Sequence, residues 1–223
     1  MPGKSFTQPK KGGGVIPLGK RNLEDLATKF LPNAYPTFHK VATDRVTHRP
    51  TSVSVFGFTA TKTGSDPRLS TPLEQLSLAD VIGLLDQFTF EIDTYLSGTK
   101  IKGDSYVLKG KLPNAAKALK DGHSFTSKFD KLSLIDIVEL LSQATFTLAN
   151  QSSSQSKSYK ISGDIENDLE DEAKLNSHLT SPVASLSPKY VLILIRLFRF
   201  TATPTNPGQG TSGGVVFSKV LGE

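Results

Sequence analysis

Between residues 74 and 146 the apolar positions trace one pattern twice. Residues 74–90 read EQLSLADVIGLLDQFTF and residues 130–146 read DKLSLIDIVELLSQATF, and nine of these 17 positions are identical at an offset of 56 residues. Ser77 and Ser133 stand where a helix cap is expected, with Asp80 and Asp136 three residues on, the spacing at which a carboxylate returns a hydrogen bond to the cap. Leu78, Val81, Ile82 and Leu85 then recur at helical spacing, as do Leu134, Ile137, Val138 and Leu141. After each helix the period drops to two. Phe88, Phe90 and Ile92 alternate with Thr89, Glu91 and Asp93, and Ala144, Phe146 and Leu148 alternate with Thr145 and Thr147. The likeness resumes at Ser105-Tyr106 through Gly110 and Ser158-Tyr159 through Gly163, which marks a second strand in each unit. The pattern predicts an internally duplicated helix–strand–strand unit over about 74–110 and 130–163.

Around this pair the signals are shorter. Asn22 caps a helix carrying Leu23, Leu26, Ala27 and Phe30, with Asp25 at the third position and Pro32 ending it. Residues 32–51, with Pro36 and Pro50, read as an extended linker. Val53–Thr61 (VSVFGFTAT) is strand-like and is echoed at 197–203, where five of seven positions match from Val55 and Leu197 onward. The run VLILI at 191–195 is apolar on both faces, as in a central strand. Pro113–Lys120 reads as a short helix stopped by Gly122. Asp164–Glu172, with six acids in nine residues, reads as the start of a solvated helix. Pro204–Gly214 is a loop before a last strand at Val215–Val220. The fold class expected is α+β: a β-sheet core with short helices, plus a disordered basic arm. Residues 1–21 form that arm, 22–50 a short helix and linker, and 51–223 the folded core.

Charge sharpens this division. Residues 1–21 hold Lys4, Lys10, Lys11, Lys20 and Arg21 and no acid, so they carry the whole net charge of +5 and the other 202 residues sum to zero. A cationic segment on a neutral body is drawn to phosphate, on nucleic acid or on anionic lipid. The five cations are the expected anionic-partner binding residues. The absence of cysteine leaves a secreted, disulfide-stapled fold unsupported. Residues 190–200, the most apolar stretch, are about half a membrane span and include Arg196 and Arg199. A cytoplasmic or virion location without a transmembrane segment is expected.

Catalytic and cofactor patterns do not emerge. His39, His48, His123 and His178 show no metal-ligand spacing and read as surface or loop residues. The acids at 164–172 lack the glycine and terminal glutamate of a calcium loop. Gly14–Arg21 comes within one residue of a phosphate-binding loop but has Arg21 where the magnesium ligand belongs. Asp80 and Asp136 are explained as capping residues. No enzyme activity, metal, cofactor or small-molecule substrate is expected.

The basic segment Lys4–Arg21, together with Tyr35-Pro36-Thr37-Phe38, resembles the layout of matrix proteins of negative-strand RNA viruses. The tetrapeptide is similar to the Tyr-Pro-x-Leu peptides that recruit host budding machinery, departing at Phe38 where that motif has Leu. The resemblance implies a viral structural or assembly protein that self-associates beneath a membrane and contacts anionic lipid and a nucleocapsid protein. Tyr35, Pro36 and Phe38 would be the host-motif residues. The other reading is an RNA-binding viral protein, such as a capsid, nucleocapsid or movement protein. In the assembly reading, sheet edges are left available for neighbouring copies.

Overall fold

The computed structural model describes residues 15–30, 36–43, 50–96, 99–101, 103–153, 155–165, 177–206 and 213–220. Local capping chemistry sets its helices. Asn22 accepts a hydrogen bond from the Asp25 N–H and starts α1 (Leu23–Asp25), which continues as a π-helical stretch over Leu26–Phe30. Ser77 and Asp80 form a reciprocal capping box before α2 (Leu78–Gly83), and Ser133 and Asp136 form another before α3 (Leu134–Leu141). Ser187 caps α4 (Pro188–Ile195), its hydroxyl accepting from the Tyr190 N–H, with proline at the first helical position.

After each helix the chain runs out and back as an antiparallel hairpin. The strands are β1 (Pro36–Thr43), β2 (Pro50–Lys62), β3 (Phe88–Leu96), β4 (Thr99–Ile101), β5 (Ser105–Lys111), β6 (Thr145–Asn150), β7 (Ser156–Ile165), β8 (Phe198–Pro204) and β9 (Gly213–Val220). Short β4 pairs with β3 on the edge that β5 also uses, so β4 and β5 act as one interrupted strand. The succession helix–strand–strand therefore occurs four times. The sheet order is β2-β1-β9-β8-β7-β6-β5-β3-β4, and β2 also pairs with β3 from Val55↔Tyr95 to Lys62↔Phe88. That last pairing closes the sheet into an antiparallel barrel. No long strand edge stays open among the described residues, contrary to the expectation of edges offered to neighbours.

A second closure lies at the helix starts. The segment before each cap donates one backbone N–H to the unit before it: Leu73 to the Arg21 carbonyl, Phe129 to Leu76 and Val183 to Leu132, at 2.8, 2.9 and 2.9 Å. Leu18 donates to the Leu186 carbonyl at 2.7 Å, which joins the first unit to the fourth and completes a ring. The four acceptors occupy one position, immediately before the caps. Three of them, Leu76, Leu132 and Leu186, are buried core residues. Leu84, Leu140 and Leu194 occupy another common position in the second, third and fourth units and are wholly buried.

Pleating divides the faces of β3 and β5–β8. Phe90, Leu108, Phe146, Ile161 and Phe200 belong to the core or pack against it, whereas Lys109, Lys111, Lys160, Ser162, Arg199 and Thr203 on the alternate positions are exposed. Glycine allows the helices to sit close. A β-carbon at Gly110 on β5 would collide with Ile82 of α2.

Several expectations change. Residues 36–43, expected as linker, form β1, hydrogen-bonded to β2 on one side and β9 on the other. VLILI is helix, because Ser187 and Pro188 set a helix start and the segment is apolar nearly all round. Pro113–Lys120 is not helical: the Lys117 N–H donates to the Gln143 side-chain oxygen and the Gln143 amide donates to the Lys117 carbonyl, so these backbone groups are tied outside the segment. Asp164 lies in β7, not at a helix start, and 166–172 fall outside the described residues. Residues 18–21, counted in the disordered arm, are ordered, with Leu18–Lys20 a single 3₁₀ turn in the ring.

Candidate functional site

Of the five expected arm cations, Lys4, Lys10 and Lys11 lie outside the described residues. Lys20 and Arg21 serve as anchors of the segment. Lys20 Nζ stands 2.6 Å from Glu74 Oε1, and the preceding Gly19 lies against Ala184, where a β-carbon would come within 2.8 Å of the Ala184 Cβ. The Arg21 carbonyl accepts the Leu73 N–H, and its Nε is buried without a hydrogen-bond partner. Just before this anchor, Val15 and Ile16 are 63% and 47% exposed. They are the large apolar residues that the described surface leaves to solvent, and in sequence they follow Lys10 and Lys11 after three glycines.

Tyr35 lies outside the described residues. Pro36 and Phe38 are in β1, where Phe38 pairs in register with Phe56 of β2 and Phe217 of β9. Pro36, Thr37 and Phe38 are thus part of the barrel wall, paired with β9, and Phe38 is paired with β2 as well.

The loops upstream of α2, α3 and α4 meet the third residue of the helix that follows. Arg68 reaches Asp80, Nη1 to Oδ1, at 2.9 Å and also Asp66, Nη2 to Oδ2, at 2.8 Å. Hydrogen bonds from the Ser77 hydroxyl and the Ser77 N–H hold the Asp80 carboxyl below its usual range, with Arg68 adding to the effect. Asp66 is likewise lowered, chiefly by its hydrogen bonds with the Arg68 side chain. In the fourth unit the same contact is made by rings: His178 meets Tyr190 edge-on at 5.3 Å between centroids.

The third unit differs. His123 Nδ1 lies 2.9 Å from Asp121 Oδ2 and 3.2 Å from Asp136 Oδ2. Gly122, at φ +88°, makes the left-handed turn between Asp121 and His123 that glycine adopts most readily. Spacing alone assigned His123 to a loop and Asp136 to a cap; it did not join them, because Asp121 and Asp136 are 15 residues apart. The sequence signal that finds the cluster is positional: Asp136 matches Asp80, and the upstream loop matches the one that carries Arg68.

Lys109, Lys111 and Lys160 line the exposed face of β5–β7 together with Thr145 and Ser158. Lys160 also borders an open groove of about 460 Å³ whose other polar walls are Ser142, Ser162, Thr203 and Thr205.

No known family model, curated protein or solved structure matches this chain. Among the described residues no helix is long and apolar enough to cross a membrane.

Proposed function

We propose that this chain is a non-enzymatic structural or assembly protein that attaches to an anionic membrane surface through the segment ending at Ile16. The observation that carries this reading is the exposure of Val15 and Ile16, at 63% and 47%, directly after a stretch whose charges are Lys4, Lys10 and Lys11. Basic residues near an anionic leaflet contribute about 1 kcal/mol each. Apolar side chains that enter the interface supply the second signal that stable attachment requires. Nucleic acid offers phosphate but no apolar phase for Val15 and Ile16, which favours lipid. Lys20 and Arg21, held in the ring, leave three cations for the partner where the sequence suggested five.

A viral matrix role accords with this reading, with self-association and contact with a nucleocapsid protein as its further parts. Because the barrel is closed, self-association would use faces of the barrel or the helix ends in place of strand pairing.

The test is co-flotation of the full chain with vesicles of phosphatidylserine and phosphatidylcholine, beside vesicles of phosphatidylcholine alone and gel shifts on single-stranded RNA. The reading expects flotation with the anionic vesicles only, reduced severalfold by Val15→Ser with Ile16→Ser. RNA binding without flotation would replace it with the RNA-binding reading. Three neutralised phosphates give a log–log salt slope of roughly −2 to −3 there.

A further inference from the structure

Asp121, His123 and Asp136 present one ligand atom each within 4.8 Å of one another, and the geometry points to a site for a divalent transition-metal ion, of the zinc class, at the start of α3. We infer this from distance, charge and support, independently of the membrane reading.

Two ligands about 2.0–2.1 Å from a tetrahedral zinc stand about 3.3 Å apart. The Asp121–His123 and His123–Asp136 separations are 2.9 and 3.2 Å, so small rotations of the side chains admit an ion between them. The donor set, one imidazole nitrogen and two carboxylate oxygens, suits zinc and its neighbours.

Charge supplies the second argument. In the second unit the Arg68 guanidinium meets Asp66 and Asp80 through separate nitrogens. In the third, His123 Nδ1 faces the carboxylates of both Asp121 and Asp136. A single Nδ1 can donate one hydrogen bond, so it cannot serve both carboxylates at once. A divalent cation satisfies all three groups, with Nδ1 as a ligand in place of a donor.

The ligands are also held from behind. The His123 N–H donates to Asp121 Oδ1 at 3.0 Å, leaving Oδ2 toward the imidazole. The Ser133 N–H donates to Asp136 Oδ2 at 2.7 Å. The Leu119 N–H donates to the His123 carbonyl at 2.7 Å, fixing the loop. Such outer hydrogen bonds orient ligands and raise affinity. The His123 and Asp121 side chains are 30% and 48% exposed, so an ion reaches the site from solvent and keeps water at its open positions.

The test titrates the full chain, stripped with chelator and free of any affinity tag, with Co²⁺ followed by Zn²⁺. The expected result is one Co²⁺ per chain with the visible absorption of a four- or five-coordinate ion, abolished as Zn²⁺ displaces it. His123→Ala and Asp121→Asn, each checked for native circular dichroism, should weaken Zn²⁺ binding at least about tenfold. His178→Ala should leave it unchanged. Absence of stoichiometric binding, or equal binding by His123→Ala, would overturn the assignment. Asp136→Asn is avoided because it also breaks the helix cap.

Discussion

Gly163 of β7 lies directly beneath Val138 of α3: a β-carbon at 163 would stand 2.6 Å from Val138 Cγ1 and 2.9 Å from Phe200 Cε1. The Val138 side chain of the helix rests on the bare backbone of Gly163, with no strand side chain beneath it. Gly163→Ala should therefore force the helix off the sheet or push Phe200 aside, destabilising the chain by about 1–3 kcal/mol, as overpacking does. Gly83 is the control. A β-carbon there meets nothing within 4 Å, so Gly83→Ala at the end of α2 should gain about 0.5–1 kcal/mol from reduced unfolded-state freedom. Urea unfolding of both variants decides it; equal effects at the two glycines would contradict the packing described.

Acid should weaken the second unit through Asp80. Its folded-state pKa is below the ordinary value of 3.8. That contribution is present above the unfolded value and is lost as pH falls through the folded one. The urea midpoint of the native chain should drop between pH 5 and pH 2, and Asp80→Asn should flatten that drop while lowering the midpoint at neutral pH. A variant with the native slope would show that the Ser77 hydrogen bonds do not bias the carboxyl.

Arg21 stands in the ring where the other three units place a buried leucine, and its Nε is buried without a partner. An unsatisfied buried donor costs about 1–3 kcal/mol. Arg21→Leu should raise stability by about 1 kcal/mol or more, read as a higher thermal midpoint. A lower midpoint would mean that the guanidinium has a stabilising role that the ring geometry does not reveal.

The cations before the ring should not be equivalent. Lys10→Gln with Lys11→Gln should reduce attachment to anionic vesicles roughly thirtyfold, since each removes about 1 kcal/mol of attraction. Lys20→Gln should change it little, because Lys20 is already paired with Glu74. Equal losses from the two sets would show that Lys20 leaves Glu74 for the membrane.

Local chemistry was legible in the sequence and long-range pairing was not. Ser77–Asp80 and Ser133–Asp136 announce helix starts because a capping box needs only four consecutive residues. The alternating strands that follow were readable for the same reason. The closure of β2 on β3 has no local sign, and Pro36 with Pro50 suggested a linker where β1 completes the barrel. VLILI misleads because a helix buried nearly all round and a central strand share one continuous apolar run. Leu186-Ser187 repeats the dipeptide that precedes α2 and α3, with Tyr190 in place of the aspartate, and is the local sign that separates this helix from a strand. The contact of Asp121 and His123 with Asp136 needed the loop folded back on the helix.

The bond from Leu18 to Leu186 also bears on the order of folding. Its two ends are separated by most of the chain, so it forms only after the intervening units have been made. A nascent polypeptide ending before β9 has an unpartnered β1 at one side and its newest strand at the other, both able to pair with another chain. The mature barrel has lost those edges, so the time spent in synthesis is when this protein is most exposed to aggregation.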